Sequence, residues 1–189
     1  TLSDSSGFIH DPSGINYDKL KYIMDLKNIQ RGRISMYVKK YPKAKFYSKK
    51  NPWSVPCHVA IPCATQNELT ESDAKVLIKN GLTTIGEGAN MPCTPEAIKA
   101  FKSNQILYAP GKASNAGGVA VSGLEMAQNS LRSTWSRDYV DGKLKDIMSE
   151  IHSSCLEYGK EKNHIDYLKG ANIAGFIKVA DAMLAQGVV

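Results

Sequence analysis

Cysteine is scarce: four residues in 189, Cys57, Cys63, Cys93 and Cys155, with no C-x-x-C pair and no paired histidine spacing. That arrangement excludes a zinc knuckle or a disulfide framework, and it predicts reduced thiols and a cytoplasmic setting. No stretch comes near the ~18 uninterrupted apolar residues of a membrane-spanning helix. The chain opens on Thr-Leu-Ser-Asp instead of a basic and apolar leader, so no membrane partner is expected. Aromatic residues amount to 8% and are not interleaved with the basic ones as a stacking surface, which argues against nucleic acid.

What is present suffices for one sizeable core: 42% of the residues are hydrophobic, and one domain plus an appendage is the natural count. The net charge of +6 is local. Residues 1–56 hold 11 Lys/Arg against 4 Asp/Glu, whereas residues 57–189 hold 13 against 14. The early basic run is either a solvated face or a site for phosphate.

Short apolar runs alternate with amphipathic stretches, the pattern of parallel strands joined by crossover helices, so the fold class is α/β. Asn16 caps a first helix that carries Leu20, Ile23 and Met24 and reaches towards Ile34, with Gly32 as an interruption. Val59-Ala-Ile61 reads as a buried strand stopped by Pro62. Thr70-Glu-Ser-Asp73 is a capping box, opening a helix that ends at Asn80-Gly81. Thr83-Thr-Ile85 and Ile106-Leu-Tyr108 are further strands, and Thr94-Pro95 starts the helix between them. From Val119 onward the pattern is helical, over about 119–134, about 137–158 with Ser136 as N-cap, and about 171–186 closed by Gly187. In the last of these, Ile173, Phe176, Ile177, Ala180 and Leu184 form an apolar stripe expected to pack in the core.

The run from Gly111 to Asn129 is the richest in site-building residues. Gly117 and Gly118 leave backbone N–H groups bare at the mouth of a helix, between polar Asn115 and Ser122; a plain tight turn is the alternative. Small or polar clusters also follow the other strands: Ser3–Gly7, Pro62–Asn67 and Glu87–Pro92. Ligands of doubly wound sheets bind beyond the carboxyl ends of strands, so these clusters are expected to share a crevice for an extended ligand. A dinucleotide fits that length, although the fingerprint G-x-G-x-x-G is absent. Asp4 ends the first apolar stub, where an acid commonly holds a ribose hydroxyl. Lys27, Arg31 and Arg33 suit a 2′-phosphate better, which favours NADP over NAD.

Pro62-Cys-Ala-Thr-Gln-Asn-Glu-Leu69, Glu87-Gly-Ala-Asn-Met-Pro92, Ala109-Pro-Gly-Lys-Ala-Ser-Asn-Ala-Gly-Gly-Val119, Ser122-Gly-Leu-Glu-Met126 and Gly170-Ala-Asn-Ile-Ala-Gly-Phe176 closely resemble the hexameric, NADP-dependent glutamate dehydrogenases. The resemblance covers essentially the whole chain. It implies a Rossmann-like, doubly wound and mostly parallel sheet that lacks its first βα unit and is followed by C-terminal helices. Residues 1–134 would be the coenzyme-binding domain, incomplete at its N-terminus. Residues 135–189 would be helices packing back on it and towards a substrate domain outside this segment.

Carried over by position, the resemblance gives Asp4, Ser5, Lys27, Arg33 and, less directly, Arg31 the adenosine end of the coenzyme. Ala64, Thr65 and Gln66 would lie along it and Asn90 near the nicotinamide ribose. Asn115 would stand beside nicotinamide and substrate, and Val119 and Ser122 would line the glutamate side-chain pocket, with the Ser122 hydroxyl donating to the γ-carboxylate. The implied reaction is the reversible oxidative deamination of L-glutamate to 2-oxoglutarate and ammonia in a homo-hexamer. The catalytic lysine and aspartate of such enzymes would lie outside this segment, so no catalytic residue is assigned here, Lys112 included, and the segment alone is expected to be inactive. Ser114, Cys93 and His58 depart from the usual alanine, threonine and aspartate. Two other readings stay open: an amino-acid dehydrogenase for an apolar substrate, for which the Ser122 hydroxyl is a liability, and a non-catalytic nucleotide-binding module.

Overall fold

A computed structural model describes residues 1–187. The chain divides into two compact units, Thr1–Pro56 and a second that begins at Cys57.

In the first unit, β1 (Leu2–Asp4), β2 (Gly7–His10) and β3 (Lys45–Ser48) form an antiparallel sheet in the order β1-β2-β3. Only Ser5 and Ser6 separate β1 from β2. A link that short cannot make the crossover a parallel pair needs, so this unit is the antiparallel part of a fold expected to be mostly parallel. Gly7 is required where it stands, because it has φ +141° and a Cβ there would collide with the Tyr47 carbonyl oxygen. Helix α1 (Tyr17–Asn28) is capped by Asn16, whose side chain accepts from the Lys19 N–H at 3.0 Å. It stops short of Gly32, and a separate 3₁₀ turn, Ile34–Met36, leads into α2 (Tyr37–Lys40). Ile9, Ile23, Ile34, Tyr37 and Ala44 close the core of this unit.

The second unit carries the parallel sheet. β4 (Val59–Ala60), β5 (Thr84–Gly86) and β6 (Leu107–Ala109) lie in the order β4-β5-β6, with Ala60 beside Ile85 and Ile85 beside Tyr108. Both crossovers are helical: α3 (Glu71–Lys79) opens on the Thr70–Asp73 capping box, and α4 (Pro95–Ser103) on the Thr94 cap with Pro95 in its first turn. Two crossovers of one hand between neighbours in sequence order put α3 and α4 on one face of the sheet, and they pack on each other. β4 is shorter than expected. Ile61 lies outside it and is exposed, as is Val59, and Pro62 cannot extend the ladder.

Four helices follow: α5 (Gly111–Ser114), α6 (Gly117–Ser130), α7 (Arg137–Gly159) and α8 (Tyr167–Gln186). Gly117 and Gly118 belong to the first turn of α6 rather than to a loop before it. α8 starts at Tyr167, capped by the Asp166 carboxylate on the Lys169 N–H at 3.0 Å, and runs through Gly170. Gly170 is needed there because a Cβ would collide with the Cys155 carbonyl oxygen of α7. The apolar stripe of α8 is only partly buried: Ile173, Ile177 and Ala180 are half-buried, but Phe176 is 72% and Leu184 80% exposed. Among the described residues no helix is long and apolar enough to cross a membrane.

Candidate functional site

Three polar segments of the second unit meet at the carboxyl ends of its strands, where sequence reasoning places a ligand. Between them is an open crevice of about 630 Å³ lined by Cys63–Gln66, Gly88–Asn90, Asn115, Gly118, Val119 and Ser122. Ala64, Thr65, Gln66, Asn90, Asn115, Val119 and Ser122, all singled out from the sequence, are therefore neighbours. The loop after β4 is held by the Ala64 N–H donating to Glu68 Oε1 at 2.8 Å, and by the Gly88 and Ala89 N–H groups donating to the Pro62 carbonyl at 2.9 and 3.2 Å. Asn67 and Met91 both adopt positive φ and are joined by the Asn67 N–H donating to the Met91 carbonyl at 2.9 Å.

Asn115 is oriented by its neighbours. Its Nδ2 donates to the Ala89 carbonyl at 3.1 Å and to Asn90 Oδ1 at 2.7 Å, so the amide nitrogen must face those two acceptors. Among the described residues none donates to its Oδ1, which is open to a donor in the crevice. The Ser122 hydroxyl donates back to the Gly118 carbonyl one turn earlier, at 3.1 Å. Turned towards the crevice, that hydroxyl would give up this bond and be free to meet a ligand. Val119 is 77% exposed and forms an apolar edge.

Beneath the crevice lies a residue that sequence reasoning passed over. Glu87 is 3% exposed, follows β5, and accepts from the Gly111 N–H at 2.7 Å and the Cys93 N–H at 3.3 Å. The Tyr108 hydroxyl and the Cys93 thiol also donate to it. Burial, then this carboxylate, push both groups' pKa values well above their ordinary range, so both remain donors. Ser114 donates its hydroxyl to the Glu87 carbonyl at 2.6 Å. An acid set between a strand end and a glycine was the available signal. Lys112 turns elsewhere and donates to Asn172 Oδ1 on α8 at 2.6 Å. The lining includes no carboxylate, lysine or histidine, and the Cys63 thiol is pushed up by burial and by Glu68.

The first unit holds its own polar cluster. Asp4 Oδ2 accepts from the Ile34 N–H at 2.8 Å and Lys27 Nζ at 2.9 Å, and Oδ1 from the Ser6 N–H and hydroxyl at 2.9 and 2.6 Å. Burial pushes this carboxyl up, but the bonds from Ser6, Ile34 and Lys27 outweigh it and hold it well below the usual carboxylate range. Arg33 Nη1 donates to Ser5 Oγ at 2.6 Å, which brings Ser5 and Arg33 together at an exposed position. Arg31 sits nearby in sequence, exposed and at φ +54°.

A family model described as glutamate/leucine/phenylalanine/valine dehydrogenase matches residues 1–187. An NAD(P)-specific glutamate dehydrogenase of Xylanibacter ruminicola is 57% identical over the whole chain, which covers 42% of that protein. An NAD-specific glutamate dehydrogenase of Porphyromonas gingivalis is 51% identical, again with 42% of its length covered. Among solved structures, Plasmodium falciparum glutamate dehydrogenase matches the whole chain at TM-score 0.92 and 50% identity, over 41% of its own chain. The chain thus spans about 42% of the length of the curated relatives it matches.

Proposed function

Because this chain belongs to the glutamate/leucine/phenylalanine/valine dehydrogenase family, we propose that it is the coenzyme-binding portion of an NADP-dependent glutamate dehydrogenase. Such an enzyme converts L-glutamate, NADP and water to 2-oxoglutarate, ammonia and NADPH, reversibly. The observation that carries this reading is the crevice in which Asn115 presents an open acceptor and Ser122 a hydroxyl.

Each residue then has a physical task. Ala64, Thr65 and Gln66 form a wall of small and neutral polar groups along which an extended coenzyme can lie, and Asn90 stands at its ribose. The Asn115 carbonyl oxygen accepts from the nicotinamide amide or the substrate amine. The Ser122 hydroxyl, turned from Gly118, donates to the γ-carboxylate of glutamate, and Val119 closes the apolar stretch of that side chain. Bound NADP supplies the hydride-accepting nicotinamide ring.

In the first unit, Arg33 with Ser5 and Lys27 offers donors to a 2′-phosphate, which favours NADP over NAD. Both Asp4 oxygens already accept within the protein, so Asp4 acts chiefly by holding Lys27 and the Ile34 backbone, and Arg31 adds positive charge. Residues 1–134 serve the coenzyme on this reading, and residues 135–189 support its nicotinamide end and face a substrate domain. Homo-hexameric assembly and a cytoplasmic location belong to the same reading. The large apolar side chains exposed on α6 and α8 favour burial in a larger assembly.

The test is the native polypeptide carrying this sequence, purified and supplied with L-glutamate and either NADP or NAD. NADP reduction that requires glutamate and releases 2-oxoglutarate and ammonia is expected. Folded protein that binds NADP without any turnover would instead establish a nucleotide-binding module. The 189-residue chain alone is expected to show no turnover, since its crevice lining supplies no lysine, histidine or carboxylate for proton transfer.

A further inference from the structure

Glu87 is the most deeply placed acid of the second unit, and the task assigned to the crevice does not use it. No lysine or arginine pairs with it among the described residues. A buried acid without a cation is retained at a penalty unless its hydrogen bonds are complete, and four donors complete them here. They come from three stretches of chain: Cys93 after the loop 88–92, Tyr108 on β6, and Gly111 at the start of α5. The Glu87 main chain adds two more ties. Its N–H donates to the Ala109 carbonyl of β6 at 3.1 Å, and its carbonyl accepts from the Ser114 hydroxyl at 2.6 Å.

The residues so tied bracket the two halves of the crevice. Gly88–Asn90 lies between Glu87 and Cys93, and Asn115 lies one turn beyond Gly111. A Cβ on Gly111 would stand 2.9 Å from the Ala89 carbonyl oxygen, 3.3 Å from Glu87 Oε2 and 3.4 Å from Asn115 Nδ2, so the three groups converge on one small space that only glycine leaves open. We propose that Glu87 is a positioning residue: it fixes the spacing between the loop 88–90 and the start of α5, and thereby aims the Asn115 carbonyl oxygen into the crevice. The proposal rests on the reading of that crevice as the nicotinamide and substrate end of the site. Glu87 touches neither ligand and acts through Asn115.

The test uses Glu87→Gln, Asn115→Ala and the double variant in the native polypeptide. Glutamine keeps the shape but turns an NH₂ towards N–H groups that need an acceptor. A roughly tenfold or greater fall in kcat is expected for Glu87→Gln, with the affinity for 2′-phospho-ADP-ribose, which carries only the adenosine end, unchanged within about twofold. In the double variant the loss should be no larger than for Asn115→Ala alone, because one residue acts through the other. Amide hydrogen exchange should rise at 88–93 and 111–116 and not elsewhere in the unit. Should Glu87→Gln fail to fold, Tyr108→Phe removes one donor and should shift kcat and local exchange in the same direction by a smaller amount. Losses that add fully in the double variant, or wild-type kcat and exchange in Glu87→Gln, would overturn the proposal. Wild-type polypeptide without turnover overturns the assigned reaction instead, and local exchange alone then decides whether Glu87 positions the loop.

Discussion

Asp4 and Glu87 are acids at the ends of strands in different units, and each has its carboxylate engaged within the protein, yet their surroundings differ in kind. Asp4 is met by a lysine, a serine and a backbone N–H, in a unit with an excess of basic residues. Glu87 is met by two backbone N–H groups, a tyrosine and a thiol, beneath a crevice lined by amides, hydroxyls and glycine. Charge in the first unit suits discrimination between ligands that differ by a phosphate. Uncharged amides and hydroxyls held by hydrogen bonds line the second, and they suit orientation, since fixed dipoles need not reorganise during reaction.

Removing charge from the first unit is the strongest way to break that contrast. Lys27→Gln with Arg33→Gln should weaken NADP binding by about a hundredfold and NAD binding by about twofold or less, as loss of two charge-assisted bonds to one phosphate requires. Equal losses for both coenzymes, measured by titration of the native polypeptide, would sink the 2′-phosphate assignment.

Acid sharpens the contrast more gently. In the first unit, Asp11 is held below the usual carboxylate range by Lys19, Tyr37 and Ser13, as Asp4 is by its own partners despite burial. Folded values below the unfolded ones mean stabilisation that is complete above the ordinary carboxylate range and lost as pH falls below ~4. Melting temperature should drop across that window, and Asp4→Asn should flatten the drop while lowering stability at neutral pH. A slope that Asp4→Asn leaves unchanged would mean that this cluster contributes nothing.

The parts of the fold that were legible in the sequence are those set by local chemistry. Asn16, Thr70, Thr94 and Ser136 cap their helices as their side chains require. Pairing between distant segments was not legible: the antiparallel sheet depends on β3 reaching β2 across more than thirty intervening residues, and its strands are only three or four residues long. The sequence pattern starts the last helix at about 171 because Gly170 looks like a boundary, whereas close packing on Cys155 keeps Gly170 inside α8. Gly117 and Gly118 look like loop residues for the same reason and are helical. The crevice residues were found because polar side chains after strands and at a helix start are visible in a linear motif. Glu87 escaped because burial of an acid is decided by partners at Cys93, Tyr108 and Gly111, which no spacing rule connects.

The central claim is that the second unit holds a dicarboxylate through Ser122. The most direct measurement is the kcat/KM of the native polypeptide for L-glutamate relative to L-norvaline, which lacks the far carboxylate, in wild type and in Ser122→Ala. Loss of a hydrogen bond to a charged group predicts that this ratio falls about tenfold or more, with coenzyme KM unchanged. A ratio unaltered by Ser122→Ala would contradict the claim.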